Sequence, residues 1–404
     1  MASVIVVEND LKDSVWEYGQ IIDGVRQNTE LSRSLAPFLP DGQGSISNPA
    51  ELAQLLITAS SKEILSVLSD KEFEPAFYLL MYLLQQLQKL SMEDLTRHDS
   101  TVLQLLRSCV PAEQPSLRDR RALKPTTILS VFNTLFNLLP ASSPNRILLL
   151  KDILSVVAET KTSFALIQSA IGSNLAVWMA AAGASDAEIR QTFWFFISLD
   201  PACSVESLRL IKAFTAQYEL SLDELCALIT TALSSSVVDV SFLVNNNVAR
   251  AAAQYAADEL VQTFIHYTHS TLITAVPAAL PESVKHKSKI LALARFFSDN
   301  GSANNNTFSY SDIPHELAAS AGELETLLID SIKAGVIEGK LNQVDETFFC
   351  TRTNRAVLAG DDNKLAQDWE AVKATLLEWK HSLENINEVV LNAKENIVNN
   401  NSQS

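Results

Sequence analysis

The amino-acid sequence predicts an all-α protein made of a helical-repeat arm, a small subdomain with a β-hairpin, and a long C-terminal helix. Glycine and proline number only 11 and 13 among 404 residues, whereas hydrophobic residues make up 47%. This composition suits long helices better than many strands linked by turns. From about Asn48 onward, apolar residues recur with helical spacing. From Leu365 to Ile397 they alternate spacings of four and three, as in the seam of a helix bundle.

Charge and cysteine content exclude several classes of function. The formal net charge of −16 argues against nucleic-acid binding by the whole surface, because affinity for phosphates comes largely from Lys and Arg. The four cysteines, Cys109, Cys203, Cys226 and Cys350, lie far apart without CxxC or Cys/His spacing, so buried free thiols are expected. No metal site, no cofactor and no disulfide framework is predicted.

Two segments bear on membrane association. Met1 to Glu8 lacks a basic start followed by a long apolar stretch, so no secretory signal is predicted. Residues 162–185 carry no charge and are long enough to cross a bilayer, but Gly172 and several polar residues interrupt them. We therefore predict two short core helices there, no membrane contact and a cytoplasmic location.

The arm is predicted to be a row of antiparallel helix pairs, a solenoid of the HEAT or TPR kind without a strict repeat. Start signals support this prediction. Pro49 and Pro144 lie in predicted first turns, and Ser221 with Glu224 has the form of a capping box. The predicted helical segments are 49–68, 74–90, 91–109, 126–139, 145–158, 164–182, 186–198, 205–218 and 222–233, of which 164–182 holds the two short core helices.

One basic cluster stands out in the first half of the chain. Arg118, Arg120, Arg121 and Lys124 lie in the proline-punctuated segment 110–124, which we predict to be an exposed loop. A solvated loop is the favoured interpretation, and a specific contact with an anionic partner is the alternative.

The C-terminal third changes character after a helical segment at 249–272. Its order is helix, short strand, two helices and a hairpin, which is typical of a winged helix. The predicted elements are a helix at 287–298, an extended piece leading into a helix at 308–313, a helix at 322–334, and hairpin strands at 335–341 and 346–352.

At these residues the chain resembles the PCI family, whose module occurs in the proteasome lid, the signalosome and translation initiation factor three. The family pattern is an apolar helix, a short I-S-Y strand, and a helix ending in V-I-x-G-x-I-x-Q before a hairpin. This chain has Phe308-Ser-Tyr310 at the strand and Val336-Ile-Glu-Gly-Lys-Leu-Asn-Gln343 after the helix. The resemblance implies a non-catalytic scaffold subunit of a large assembly.

The resemblance also divides the chain into domains. We predict a helical-repeat arm at 1–204, a PCI domain at 205–355, and a bundle helix with its tail at 356–404. Within the PCI domain, 205–285 is the helical part and 286–355 is the winged helix.

Two further stretches are similar to the translation initiation factor three members of this family. One is Leu135-Phe-Asn-Leu-Leu-Pro-Ala-Ser-Ser-Pro-Asn-Arg146 in the arm, and the other is the spacing of Trp369, Leu376 and Trp379 in the tail. The resemblance implies that the partners are other PCI and MPN-type subunits of that factor and, indirectly, the small ribosomal subunit and messenger RNA. A PCI subunit of the signalosome or the proteasome lid is the alternative.

In a DNA-binding winged helix, the helix before the hairpin reads the bases. Here its polar positions are Glu323, Glu325, Asp330 and Lys333, which bring three negative charges and one positive charge toward phosphates. Repulsion is expected, so DNA is excluded as a partner. Weak contact with RNA is the alternative, through three lysines near the start of the preceding helix. They are Lys285, Lys287 and Lys289.

The small sheet offers another way to bind a partner. The outer strand of a sheet has unpaired N–H and C=O groups, to which a neighbouring winged helix can add a strand. PCI subunits are known to line up their winged helices in this way, so the resemblance implies the same here. The alternative is a hairpin covered by its own chain. The predicted edge residues are Phe348, Phe349, Cys350 and Thr351.

The clearest periodic pattern lies in the tail. A helix over this pattern would extend on the order of 50 Å, farther than a small winged helix can cover. We therefore predict a bundle with helices of other subunits, the alternative being a helix folded back along the chain's own arm. The predicted partner-binding seam is Leu365, Trp369, Val372, Leu376, Trp379, Leu383, Ile386 and Val390.

No catalytic constellation is present in the sequence. It contains no Gly-rich phosphate loop, no G-x-S-x-G elbow and no H-E-x-x-H pattern. His266 and His269 share a predicted helix face, but no Cys or acidic residue lies at ligand spacing, which favours packed or partly exposed side chains over a metal site. We predict that the chain is not an enzyme.

Overall fold

The structure is a computed structural model that describes residues 10–39, 46–112, 122–301, 306–354 and 362–401. Most of these residues are helical, and their one sheet has three strands, which confirms the predicted all-α, helical-repeat class. The chain divides into two compact units, Met1–Pro201 and Ala202–Ser404.

The first unit contains twelve α-helices in its described residues. They are α1 (Leu11–Arg26), α2 (Glu30–Leu35), α3 (Pro49–Ala59), α4 (Lys62–Leu65), α5 (Asp70–Gln88), α6 (Met92–Leu95), α7 (Thr101–Ser108), α8 (Pro125–Leu138), α9 (Asn145–Thr160), α10 (Ala165–Ile171), α11 (Leu175–Ala181) and α12 (Asp186–Ser198).

Each helix of this unit packs mainly against helices close to it in the sequence. α5 packs against α1, α3 and α8, α8 packs against α9, and α9 packs against α11 and α12. The buried face of α5 includes Phe73 and Phe77, whose rings stack with 5.8 Å between centroids. Local packing of this kind is what a helical-repeat arm requires.

The second unit contains the sheet. Its described elements are α13 (Val205–Thr215), α14 (Leu222–Ser234), α15 (Asn246–Gln254), α16 (Glu259–Thr268), α17 (Ser283–Asn300), β1 (Thr307–Ser309), α18 (Ala321–Lys333), β2 (Ile337–Asn342), β3 (Thr347–Thr353) and α19 (Asp362–Asn401).

Polar caps decide where several helices begin. The predicted capping box is confirmed, since the Ser221 hydroxyl accepts the Glu224 N–H while the Glu224 carboxylate accepts the Ser221 N–H at 2.8 Å. Three segments predicted as one helix are two: α3 with α4, α6 with α7, and α15 with α16. Asp258 accepts the N–H groups of Leu260 and Val261 at the start of α16. Ser61 and Ser100 occupy the N-cap positions of α4 and α7 without a cap hydrogen bond from the helix backbone to their side chains, and serine there favours a helix start over a continuing helix.

The first two helices were not predicted. The Asp23 carboxylate of α1 accepts the N–H groups of Leu31 and Ser32, at 3.0 and 2.9 Å, and so caps the start of α2. Burial alone would raise the pKa of Asp23, but these hydrogen bonds, with one from the Ser32 hydroxyl, outweigh it and lower the pKa. Gly19 lets the two helices approach, because a Cβ there would lie 2.7 Å from Leu35 Cδ1.

The arm stretch that ends in Arg146 has a packing role. Arg146 places its guanidinium 4.2 Å from the centroid of the Phe136 ring, and its Nε donates to the Phe136 carbonyl at 3.1 Å. It thereby joins the start of α9 to the end of α8 through a cation–π contact and a hydrogen bond.

α17, β1, α18, β2 and β3 form one module around stacked phenylalanines, which we call the sheet module. Phe297 of α17 lies 4.8 Å from Phe308 of β1 and 5.2 Å from Phe348 of β3, between ring centroids. The predicted hairpin is confirmed. Where a helix was expected after β1, the structure has a 3-10 turn, Tyr310–Asp312.

The predicted edge strand is wrong. The strand order is β1-β3-β2, so β3 is the central strand, and Phe348, Phe349, Cys350 and Thr351 lie on it. Phe348 pairs with Phe308 on one side and Leu341 on the other. The short β1 covers the side of β3 that the hairpin alone would leave open, because Phe308 packs into the same aromatic core.

The segment that is long enough to span a bilayer forms α10 and α11, which confirms the prediction of two short helices. Among the described residues, no helix is both long and apolar enough to cross a membrane. Cys109 and Cys350 are buried as expected, whereas Cys203 and Cys226 are only half-buried.

Candidate interaction surfaces

α19 exposes the predicted seam. It is one continuous helix of 40 residues, roughly 60 Å long at 1.5 Å per residue. Trp379 is 64% exposed, although burial of a side chain this large is strongly favourable. A contiguous exposed apolar stripe is typical of a protein-binding surface. Six seam side chains are each more than half exposed: Trp369, Leu376, Trp379, Leu383, Ile386 and Val390.

The two remaining seam residues differ from these six. Val372 is half-buried, and Leu365 lies in α19 with its side chain outside the described part of the structure. The six others are not covered by the other helices of the second unit.

Two exposed leucines of α19 lie outside the predicted seam. Leu377 and Leu391 are 57% and 51% exposed and lie two heptads apart. At 100° per residue they stand roughly 130° around the helix from the middle of the seam. Glu384 occupies the heptad position between them, so they do not form a second apolar stripe. Val389, also exposed, widens the seam itself.

The sheet module has two edge strands, the three-residue β1 and the longer β2. Among the described residues, β2 pairs only with β3, so its other side has unpaired backbone groups. Gly339 is required within it, because a Cβ there would lie 2.3 Å from Phe348 Cζ and 2.5 Å from the Phe349 carbonyl oxygen. A bulge falls between Glu338 and Gly339, and the Glu338 carboxylate lies 3.2 Å from Arg352 on β3.

The acidic residues of α18 have distinct positions. The Glu323 carboxylate accepts the Ala319 N–H at 3.0 Å and so lies at the start of the helix. Asp330 lies 3.0 Å from His286 and 3.6 Å from Lys333. Glu325 accepts hydrogen bonds from two neutral groups, the Tyr310 hydroxyl at 3.2 Å and the Gln343 amide at 3.1 Å.

Of the lysines predicted to touch RNA, Lys287 is not available. Its ammonium donates to the carbonyls of Leu233, at 2.9 Å, and Ser235, at the end of α14. Burial lowers its pKa, yet the carbonyls at a helix C-terminus favour the cation. Lys285 lies 3.0 Å from Glu282.

Of the basic cluster in the first half of the chain, only Lys124 is among the described residues. Arg118, Arg120 and Arg121 lie outside the described residues. Lys124 contacts Asp70 at 2.6 Å, just before the start of α8. Asp70, the first residue of α5, also accepts the Lys124 N–H and the Thr127 hydroxyl, so Lys124 has a structural role in joining α5 to α8.

Two cavities in the first unit lack ionisable side chains. One, of about 310 Å³, lies between α8, α9, α10 and α11, and its walls include Phe136, Trp178 and Asn133. The other, of about 270 Å³, lies between α3, α5 and α7 and is lined by apolar, hydroxyl and amide side chains. Within the described ranges, no group of three His, Cys, Asp or Glu residues is arranged to hold a metal ion.

Comparison with known proteins gives relatives that match from end to end. The chain is 23% identical over 438 residues to "Eukaryotic translation initiation factor 3 subunit M" of Aspergillus terreus, which spans 100% of this chain and 90% of the relative. Proteins of the same name from Aspergillus clavatus and Emericella nidulans are 24% and 23% identical over 98% of this chain and cover 87% and 91% of their own lengths. No protein-family model matches the chain. These relatives confirm the predicted resemblance to a subunit of translation initiation factor three.

Proposed function

We propose that this chain is a non-catalytic scaffold subunit of eukaryotic translation initiation factor three, in the cytoplasm. It would hold neighbouring PCI and MPN-type subunits in place and thereby support recruitment of the small ribosomal subunit and messenger RNA. The observation that carries the proposal is the exposed seam of α19. The name shared by the end-to-end relatives supplies the assembly.

In this proposal, α19 is a bundle helix. Its seam supplies two tryptophans, Trp369 and Trp379, and aromatic side chains of this size dominate the binding energy of interfaces.

The sheet module is interpreted as a winged helix that adds its neighbour's strand to β2. The unpaired backbone of β2 would gain hydrogen bonds from a partner strand, whereas β3 already has partners on both sides.

The test is deletion of residues 363–404 in cells that carry a tagged copy of the chain. The truncated protein is expected to remain folded, since its cores do not use the exposed seam, and to lose co-purification with initiation factor subunits and ribosomal proteins. Full retention of these partners would refute the docking role of α19. Co-purification of the intact chain with cullins or proteasome subunits instead would refute the assignment to initiation factor three.

Exchange of backbone amides tests the edge. On assembly, the N–H groups of β2 that point away from β3 are expected to exchange with deuterium more slowly, while β3 changes little because it is already paired. Unchanged exchange in β2 between the free and assembled chain, measured by mass spectrometry, would contradict edge pairing.

A further inference from the structure

The outward face of α18 combines apolar side chains with negative charge. At 100° per residue, Glu325, Thr326, Ile329 and Ile332 lie on one side of the helix. Ile329 is 45% and Ile332 is 37% exposed. The opposite side holds α18 in the core through Leu324, Leu327 and Leu328.

The tip of the hairpin extends this face. The Gln343 amide donates to the Glu325 carboxylate at 3.1 Å, which brings the turn next to α18. Val344, the neighbour of Gln343, is 93% exposed in a turn, where polar residues are usual. We call Ile329, Ile332 and Val344, with Glu325 between them, the α18 face.

The charge of this face is mainly negative. Glu325 accepts from two neutral groups, the Gln343 amide and the Tyr310 hydroxyl at 3.2 Å, so its charge is not neutralised by either. Asp345 and Glu346 are exposed in the adjoining turn. Burial raises the pKa of Tyr310 to about 12, and the charges of Glu325 and Glu346 add to this effect, as a negative local potential requires. Lys333 lies on the same side of the helix, four residues after Ile329, but its ammonium lies 3.6 Å from Asp330, so the excess charge of the face remains negative.

We propose that the α18 face is a docking site for a basic, amphipathic segment of a partner protein, whose apolar side chains cover Ile329, Ile332 and Val344 and whose Lys or Arg lies against Glu325. Phosphate-bearing ligands are repelled by these carboxylates, and a second copy of the chain would bring the same charges. Charge complementarity therefore selects a cationic polypeptide. The inference does not depend on the proposed function, because it uses neither α19 nor the β2 edge.

The probe is a pair of synthetic helical peptides of about 14 residues, roughly the 20 Å length of α18. Both peptides carry the same leucine face, with lysine on the polar face of one and glutamate on that of the other. Binding of each fluorescent peptide to the full chain is followed by anisotropy. The lysine peptide is expected to bind at least about tenfold more tightly than the glutamate peptide, with an affinity that falls as salt rises.

Substitutions locate the site. Ile329→Ser with Ile332→Ser is expected to weaken the lysine peptide at least about tenfold, and Glu325→Gln about threefold with a flatter salt dependence. The matched controls are Val67→Ser with Val177→Ser, two exposed apolar residues of the first unit, and Glu159→Gln at an exposed carboxylate of α9, which should leave binding unchanged. Circular dichroism and thermal unfolding establish that each variant is folded.

Three results would overturn the proposal. The first is equal affinity for both peptides, which would mean that charge does not select the partner. The second is loss of binding in a Leu383→Ser with Ile386→Ser variant of the α19 seam but not in the α18 variants, which would move the site to the seam. The third is binding of labelled oligouridylate that depends on Ile329 and Ile332, which would make the face a nucleic-acid site.

Discussion

α5 and α19 show the same kind of apolar periodicity and end in opposite environments. On α5, the apolar face that includes Phe73, Phe77 and Leu84 is buried by α1, α3 and α8. On α19, seam residues such as Trp379 and Leu383 are exposed. Apolar periodicity therefore predicts that a helix face will pack against another helix. It does not predict whether that helix belongs to the same chain, as for α5, or to a partner, as we propose for α19.

The largest expected difference between these helices is in the free energy of unfolding of the isolated chain. Phe77→Ala should lower it by about 3 to 5 kcal/mol, because the substitution leaves a cavity in a closed core. Trp379→Ala should change it by less than about 0.5 kcal/mol, because the side chain is already exposed. Urea unfolding followed by circular dichroism measures both.

A Trp379→Ala chain that loses as much stability as Phe77→Ala would contradict the comparison. That result would mean that the seam is covered within the chain in solution. His381→Ala, on the exposed side of α19 away from the seam, is the control for loss of helix propensity alone.

In the assembled complex, two α19 substitutions should differ in how strongly they weaken incorporation. Trp379→Ala is expected to weaken incorporation into the complex by about 2 kcal/mol or more, roughly thirtyfold, because a buried interface tryptophan is a typical hot spot. His381→Ala should have little effect. Competition between tagged wild-type and variant chains for the same complex measures this, and equal incorporation of both variants would argue against the seam.

Two glycines sharpen the contrast inside the sheet module. Gly339→Ala should destabilise the chain by about 1 to 3 kcal/mol, because its Cβ would overlap Phe348 and the Phe349 carbonyl. Gly322→Ala, on the open side of α18 with no atom within 4 Å, should be neutral or stabilise by about 0.5 to 1 kcal/mol, because alanine favours helix. Equal effects of the two changes, in thermal unfolding, would refute the close packing of β2.

The smallest expected effect concerns the cap between α1 and α2. Asp23→Asn should cost about 1 kcal/mol at neutral pH, through weaker hydrogen bonds to Leu31 and Ser32. Because the pKa of Asp23 is lowered in the folded state, its contribution is complete above the unfolded value of about 4 and is lost as the pH falls through the folded value. The difference between wild type and variant should therefore shrink below about pH 4. A difference that persists there would show that the carboxylate charge is not what holds the cap.

Strong local signals made parts of the fold predictable. α12 has its predicted bounds because Ser185 and Glu188 form a capping box at its start, and the hairpin followed from two apolar runs around a polar turn. α1 carries Val15, Tyr18 and Ile22 at helical spacing but also two glycines, which weaken helix propensity, and it was missed.

Other features depend on contacts that no local pattern reveals. The central position of β3 results from pairing with β1, a strand of three residues that is too short to show alternation. The burial of Lys287 depends on the carbonyl ends of α14, which are distant in sequence. The α18 face could not be predicted from the sequence, because it includes a hairpin turn that the Gln343 to Glu325 hydrogen bond brings next to α18. The α19 seam was predicted by position, whereas its exposure required the structure.

The exposed seam of α19 has a consequence for the newly synthesised chain. Before partner subunits bind, six large apolar side chains are in contact with water along this helix. Copies of the chain at high concentration are therefore expected to self-associate. Production of the chain in excess over its partners is therefore expected to lead to aggregation or rapid degradation. Synthesis at the same level as the partners would allow them to bury the seam.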